Sequence, residues 1–282
     1  MKLDLSDVTV CAIDSVNLAL TARALQLTMA QCEFSDAVFF SHLPVEGRFR
    51  SVCIDNLNSL AAYHAFAVKR LPALIETPFV LVVQWDGYVI NAGAWNPSFR
   101  EYDYIGARWV HFNDDMRVGN GGFSLRSRKL LVALNDPRFT VDGTINEDVL
   151  ICRTFRPALE REFGIRFAPE NVADQFSYEN SVPNQPTFGF HGLANMWRHV
   201  EDAEMITLIG LLAPYTYRTP HYIGLMIRYF LQRKFGPLTA LYSKLRPLSG
   251  SDEIVQLIRE AFRNDELALQ CVRMCEQLLR QS

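Results

Sequence analysis

The chain has 282 residues, enough for one large domain with a sizeable core plus an appendage. Apolar residues make up 49% and charged residues 21%, the composition of a soluble globular protein, and a net charge of -3 gives no global reason to expect nucleic acid as a partner. Six cysteines without a Cys-x-x-Cys pair support neither a zinc site nor a redox motif; buried, reduced thiols in a cytoplasmic protein are expected.

The N-terminus carries Asp4 and Asp7 and no apolar h-region, so it does not read as a signal peptide. Residues 8–13 read as a buried strand ending at Asp14 and Ser15. Asn17 is placed to cap a helix over 18–32, and 37–40 form the next strand, completing a β-α-β unit of the kind that builds nucleotide-binding sheets. No Gly-x-Gly-x-x-Gly follows the first strand, which argues against a dehydrogenase. A third strand is expected over 51–54 and a helix over 59–75, bent or ended at Pro72. Its Lys69 and Arg70 suit either an anionic ligand or solvent.

The next run is Leu81-Val82-Val83-Gln84-Trp85-Asp86-Gly87-Tyr88, an aliphatic strand following Pro78 that stops in a polar-aromatic cluster. In open α/β sheets ligands bind just outside the carboxyl ends of strands, so Asp86 stands where a metal or substrate would be held. Gly87 lets backbone come close to it. A buried strand followed by a solvated turn aspartate is the competing reading.

An aromatic packed loop is expected over 95–107. In Gly119-Asn120-Gly121-Gly122-Phe123-Ser124-Leu125-Arg126, three glycines in four positions open the backbone to close approach. Either a phosphate cradle, here without the Lys-Ser/Thr ending of a P-loop, or a glycine-rich hairpin satisfies the pattern. A helix over 127–135 follows. Glu147 and Asp148 head another helix over 149–161, where carboxylates suit the helix dipole. A short strand is expected over 164–168, and residues 180–192, rich in proline and glycine, end in Phe188-Gly189-Phe190-His191-Gly192.

From residue 195 onward the chain reads helical, broken at Pro214, Pro220, Pro237 and Pro247. The most apolar stretch there, residues 205–213, is too short to span a bilayer. Between residues 205 and 251 there is no acidic side chain, while Arg218, Arg228, Arg233, Lys234, Lys244 and Arg246 are interleaved with apolar residues. Basic helices over 218–246 suit peripheral contact with an anionic membrane surface or a cap on the preceding domain. A final helix over 251–279, of mixed charge, is expected to pack on its neighbours or on a second copy in a homodimer.

Taken in order, the strand-end Asp86, the Gly121-Gly122 loop, the Glu147-Asp148-Val149 helix head and the Phe190-His191-Gly192 segment form one pattern. Together with Tyr102-Asp103-Tyr104-Ile105-Gly106-Ala107 and Ser127-Arg128, it resembles the nucleotide-sugar-dependent glycosyltransferases of the GT-A fold. The chain is most similar to a bacterial family of uncharacterised glycosyltransferase-like domains, over roughly its first two-thirds. The resemblance implies an α/β fold: a Rossmann-like mixed sheet flanked by helices over residues 1–198, then an α-helical region over 199–282.

It also implies roles. Asp86 corresponds to the metal-binding aspartate of the Asp-x-Asp motif, with Gln84 where the first aspartate stands. His191 supplies a second ligand. With diphosphate oxygens and water these make an octahedral shell suited to Mn²⁺ or Mg²⁺, which acts as a Lewis acid on the departing diphosphate. The donor would contact Asp14, Ser15, Gln84, Trp85, Gly87, Asn120, Gly121 and Gly122. Asp148 is the expected base and Glu147 an acceptor-binding neighbour, with the two roles interchangeable, because a sugar hydroxyl attacks poorly until its proton has somewhere to go. The implied activity is inverting transfer from a UDP- or GDP-sugar to a glycan or lipid-linked acceptor, in bacterial surface polysaccharide synthesis on the inner face of the membrane. With Gln84 in place of an aspartate, a non-catalytic carbohydrate- or nucleotide-binding protein of degenerate GT-A fold is the alternative. A sugar nucleotidyltransferase would carry a Gly-rich, basic loop after the first strand, which is missing.

Overall fold

A computed structural model describes residues 1–281. The chain divides into two compact units, Met1–His191 and the remainder from Gly192 on. In the first, the apolar runs become β1 (Leu3–Ile13), β2 (Cys32–Ser41), β3 (Arg50–Cys53), β4 (Phe79–Val83), β5 (Tyr104–Ile105) and β6 (Phe123–Ser127). Helix α1 (Leu18–Gln31) links β1 to β2, and α2 (Leu60–Ala65) lies between β3 and β4. Among the described residues there is one sheet, ordered β3-β2-β1-β4-β6-β5. The first four strands run parallel, β6 antiparallel to β4, and β5 antiparallel to β6. This is the α/β, mixed, helix-flanked sheet expected from the sequence.

Strand alternation explains why the runs read as continuously apolar. Val8, Val10 and Ala12 of β1 pack with Leu81 and Val83 of β4 against Leu25 of α1 on one face. Cys11, Ile13, Val80 and Val82 pack with Phe66, Ala67 and Leu71 on the other. Side chains alternate across a strand, so a sheet covered on both faces needs apolar residues at every position. The strand order reverses at one place. The chain leaves β1 towards β2 and β3, then returns on the other side of β1 as β4, with Ala12 level with Val83. That reversal, at the carboxyl ends of β1 and β4, is where open α/β sheets bind ligands.

The second half of the glycine-rich stretch is β6, and of its two readings the hairpin fits: β6 pairs antiparallel with β5, and Arg108 bridges antiparallel to Val118. Several elements differ from expectation. Residues 164–168 form no strand: only Phe167 bridges to Tyr104, because the two-residue β5 offers no longer ladder. The helix expected over 59–75 is α2, then a π turn at Phe66–Arg70 and a 3-10 turn at Leu71–Ala73. Pro72 lacks the N–H for the next helical bond and its ring displaces the carbonyl four residues back, so the turn widens. The helix expected over 149–161 behaves the same way ahead of Pro157. After α3 (Arg128–Ala133), α4 (Glu147–Val149) passes through a π turn at Leu150–Thr154 into α5 (Arg156–Phe163), which stops at Gly164 with φ 61°. Helix α6 (Glu170–Phe176) completes this unit.

The second unit holds α7 (Asp202–Leu211), α8 (Pro220–Leu231), α9 (Phe235–Leu245), α10 (Ser251–Phe262) and α11 (Asp265–Gln281). The single final helix expected over 251–279 is therefore two. Arg263 takes a left-handed φ of 51°, and Asn264 Oδ1 then accepts from Leu267 N at 3.0 Å, capping the new helix. Within residues 218–246, helix α8 turns its apolar face inwards. Its Tyr222, Ile223, Leu225, Met226, Ile227 and Tyr229 are buried, in a helix packed on α9 and α10. No helix of the described residues is long and apolar enough to cross a membrane. The six cysteines are unpaired; five are buried, but Cys53 at the end of β3 is exposed.

Candidate functional site

Two pairings bring Asp86 and His191 together. After β4 the chain reverses in a tight turn, with Gln84 N donating to Gly87 O at 3.2 Å and Gly87 N to Gln84 O at 3.0 Å, and this puts Trp85 and Asp86 at the corners. The segment that follows is held to α1 by Gln31, whose amide bonds Val89 O at 2.9 Å and Ala92 N at 3.0 Å. Val89 then pairs antiparallel with Gly189, so Gly87 falls opposite His191. Phe188 and Phe190, both fully buried, anchor the second strand of this pairing, Phe190 edge-on to Tyr88 at 4.8 Å.

In consequence His191 Nε2 lies 3.5 Å from Asp86 Oδ1 and 3.2 Å from Gln84 Oε1, while Nδ1 lies 3.1 Å from Glu179 Oε1. Burial opposes a charge on the imidazole, but the Asp86 and Glu179 carboxylates outweigh it and hold His191 well above its ordinary proton affinity. Gln84 also donates to Tyr63 Oη at 2.8 Å, so its amide is fixed in one orientation between two rings.

Beside this group β6 lies antiparallel to β4, Val83 pairing with Phe123, so Gly122 and Gly121 run next to the Gln84–Gly87 turn. A Cβ on Gly122 would overlap His191 Nε2; one on Gly121 would overlap Glu147 Oε1. The close approach these glycines permit is thus to the chain's own site residues. Asp148 Oδ2 accepts from Gly121 N at 3.1 Å. Glu147 is buried, with Oε1 3.3 Å from Arg126 Nη2 and Oε2 3.9 Å from His64 Nε2. Burial and the Asp148 charge push the Glu147 carboxyl up to about 7, although Arg126 pulls the other way. Burial pushes His64 down, so the approach of Glu147 to His64 is not between opposite charges.

The remaining predicted residues fall into place unevenly. Trp85 is half-buried on the turn, and Asn120 is buried with a left-handed φ of 66°. Asp14 and Ser15 lie at the end of β1, across the strand reversal from Asp86, but their side chains are engaged locally. Asp14 accepts from Val16 N, Asn17 N and Thr21 Oγ1 at 2.6, 2.9 and 2.6 Å, and Ser15 accepts from Leu57 N at 3.1 Å. Past Leu57, a cavity of about 710 Å³ lies between the loop carrying Asp55 and α2.

Sequence reasoning missed Glu179, Tyr63, His64 and Arg126. Glu179 sits in a polar loop without periodicity, Tyr63 and His64 on a helix read as ordinary, and Arg126 in a strand where an arginine reads as solvent-facing. Only the rarity of a charge among the apolar residues of β6 pointed to the last.

Among the described residues no cluster of three or more His, Cys, Asp or Glu is arranged to hold a metal. Asp86 and His191 offer one oxygen and one imidazole nitrogen, a pair that suits a hard divalent cation drawing its other ligands from diphosphate and water. Glu179 is placed as the outer carboxylate with which metal-binding histidines fix their tautomer, here directing Nε2 towards Asp86. The donor chemistry fits such a cation.

Three solved structures are similar to parts of the chain. A glycosyltransferase involved in the glycosylation of the major capsid of PBCV-1 is 12% identical over 65% of this chain and 91% of its own, with a TM-score of 0.41. The mannosyltransferase PcManGT from Pyrobaculum calidifontis, in complex with GDP-Man and Mn²⁺, is 11% identical over 98% and 79%, at 0.40. S. aureus TarS 1–349, in complex with UDP-GlcNAc, is 12% identical over 100% and 92%, at 0.39. At TM-scores below 0.5 these likenesses carry no argument for the chemistry of the site. No curated protein matches the chain. Residues 48–191, just over half of the chain, match the family described as Protein of unknown function (DUF5672), and the chain belongs to that family.

Proposed function

We propose that the chain is a glycosyltransferase that moves a sugar from a nucleoside diphosphate donor to a hydroxyl of a glycan or lipid-linked acceptor, with inversion. The observation that carries this reading is the meeting of Asp86 and His191, 105 residues apart, beside the strand reversal where α/β sheets bind nucleotides. The nucleoside lies over the ends of β1 and β3, near Asp14, Ser15 and Asp55, and the diphosphate beside Asp86. Asp86 and His191 would hold a divalent cation there, and the cation would neutralise charge on the leaving diphosphate. Glu179 holds the His191 ring through Nδ1 and leaves Nε2 for the cation, in place of the Gln84 Oε1 contact there. Asp148, half-buried on the far side of the Gly121–Gly122 backbone, takes the acceptor proton. With one base on that side, direct displacement at the anomeric carbon follows. Surface polysaccharide assembly is the setting such an acceptor implies.

A second reading rests on Gln84 and on the shortage of metal donors: a carbohydrate- or nucleotide-binding protein that has lost catalysis. The two separate by incubation with a panel of nucleotide sugars and Mn²⁺. Slow donor hydrolysis by the wild type, absent in Asp86→Ala, is expected. Equal hydrolysis by Asp86→Ala removes the metal assignment, and silence across the panel favours the binding protein.

A further inference from the structure

A single residue, Gly121, is gripped from three directions. Gly121 N donates to Asp148 Oδ2 at 3.1 Å. Gly121 O accepts from Ser124 Oγ at 3.1 Å and from Arg126 Nη2 at 3.4 Å. The place of its missing Cβ is filled by Glu147 Oε1. The grips are joined: Arg126 Nε donates to Ser124 Oγ at 3.0 Å, Arg126 Nη2 reaches Glu147 Oε1 at 3.3 Å, and Glu147 is bonded to Asp148. The ring therefore closes through the chain itself.

Arg126 is fully buried and Glu147 is 5% exposed. An ion pair so placed is a poor source of stability, because desolvating both charges offsets their attraction and an apolar pair of the same volume would serve as well. The arginine is not even satisfied, since Nη1 finds no hydrogen-bond partner, and neither does His64 Nδ1 behind Glu147. Stability thus gives no account of this pair. What the pair does have is a grip on the residue whose amide bonds Asp148: Arg126 holds the Gly121 carbonyl and Glu147 occupies the place of its Cβ.

We propose that Arg126 and Glu147 are a positioning pair, which holds Gly121 at its carbonyl and Cα and, through the amide of the same residue, fixes the Asp148 carboxylate in one orientation. The pair touches no substrate, and its catalytic meaning rests on Asp148 being the base. The groups facing Glu147 are Arg126 from β6, His64 and Tyr63 from α2, Tyr104 from β5 and Asp148 beside it. Glu147 loses its proton close to neutral pH, so the grip on Gly121 changes there too.

The Gly121 amide is the reporter. In ¹⁵N spectra of the wild type its resonance should inflect near pH 7, and Glu147→Gln should abolish that inflection. Hydrogen exchange at this amide should be about tenfold faster in Glu147→Gln, the effect of losing one hydrogen-bonded strut. Should that variant fail to fold, Ser124→Ala removes a strut without touching a charge and gives the same acceleration. A merely structural role lowers the melting temperature and leaves the pH response of Gly121 alone. A wild-type resonance flat from about pH 6 to 8, or exchange within about twofold of wild type in Ser124→Ala, overturns the proposal. Neither readout needs a donor sugar. An active Asp148→Asn would remove the base assignment while leaving the positioning ring intact, so the two failures are distinguishable.

Discussion

Gly121 and Gly122 are neighbours, and a methyl group on each would strike a different site residue, Glu147 for the first and His191 for the second. Gly122→Ala should push the imidazole away from Asp86 and cost about 100-fold in donor hydrolysis, the penalty of a displacement on the order of 1 Å. A melting curve close to wild type would confirm that the loss is local. Glu147 makes a separate prediction about stability. Its carboxyl titrates near 4.3 in an unfolded chain and near 7 here. The folded state binds the proton more tightly, so this contribution is full below about pH 4.3 and is lost as pH rises through 7. Urea unfolding at pH 5 and pH 8 should show a drop on the order of 2–3 kcal/mol in the wild type that Glu147→Gln lacks. Equal drops would show that Glu147 keeps an ordinary proton affinity. At this scale the motif residues were legible, because strand ends and glycine loops mark them. Glu179, Tyr63 and His64 were not, because they reach the site through tertiary contacts that leave no period in the sequence.

Strands were easier to read than helix ends. The apolar runs of β1, β2 and β4 are fully buried on both faces and announce themselves, whereas the π turns before Pro72 and Pro157 show only as prolines in otherwise helical patterns. The break between α10 and α11 was hidden for a similar reason: Arg263 and Asn264 fit a helix by polarity, and only the Asn264 cap marks a new start. A staple on α11 makes a testable element. Tyr242 Oη, Arg246 Nε and Ser251 Oγ all converge on Glu276 Oε1, at 2.7, 2.7 and 2.8 Å. These bonds hold the Glu276 carboxyl down to about 2. Its stabilisation is therefore present above the ordinary glutamate range and lost as pH falls towards 2. Glu276→Gln should cost on the order of 1 kcal/mol at pH 7, the partial exposure of the group screening the rest, and the difference should narrow below the ordinary glutamate range and close only as pH reaches about 2. A gap unchanged by pH would assign the staple to packing alone. Ser127, which accepts from Leu130 N at 3.0 Å to cap α3 and donates to Asp103 Oδ1 at 2.5 Å, is a second such point. Ser127→Ala should lower stability by about 1–2 kcal/mol in thermal unfolding.

For the whole molecule, the strand order is what gives the residues meaning. β4 returns beside β1 after two strands on the other side, and the turn after β4 sets Asp86 at the end of that reversal. The antiparallel register of Val89 with Gly189 then delivers His191 to the same place. Neither step could be read from composition, and the second depends on a pairing of segments a hundred residues apart. The central claim is that this convergence serves a cation and a nucleoside diphosphate. Anomalous diffraction from a crystal soaked with Mn²⁺ and UDP or GDP tests it most directly. A manganese peak bonded to Asp86 oxygen and His191 Nε2, with diphosphate density against it, is the predicted result. Diphosphate bound elsewhere, or manganese absent from that pair while the nucleotide is in place, would contradict it.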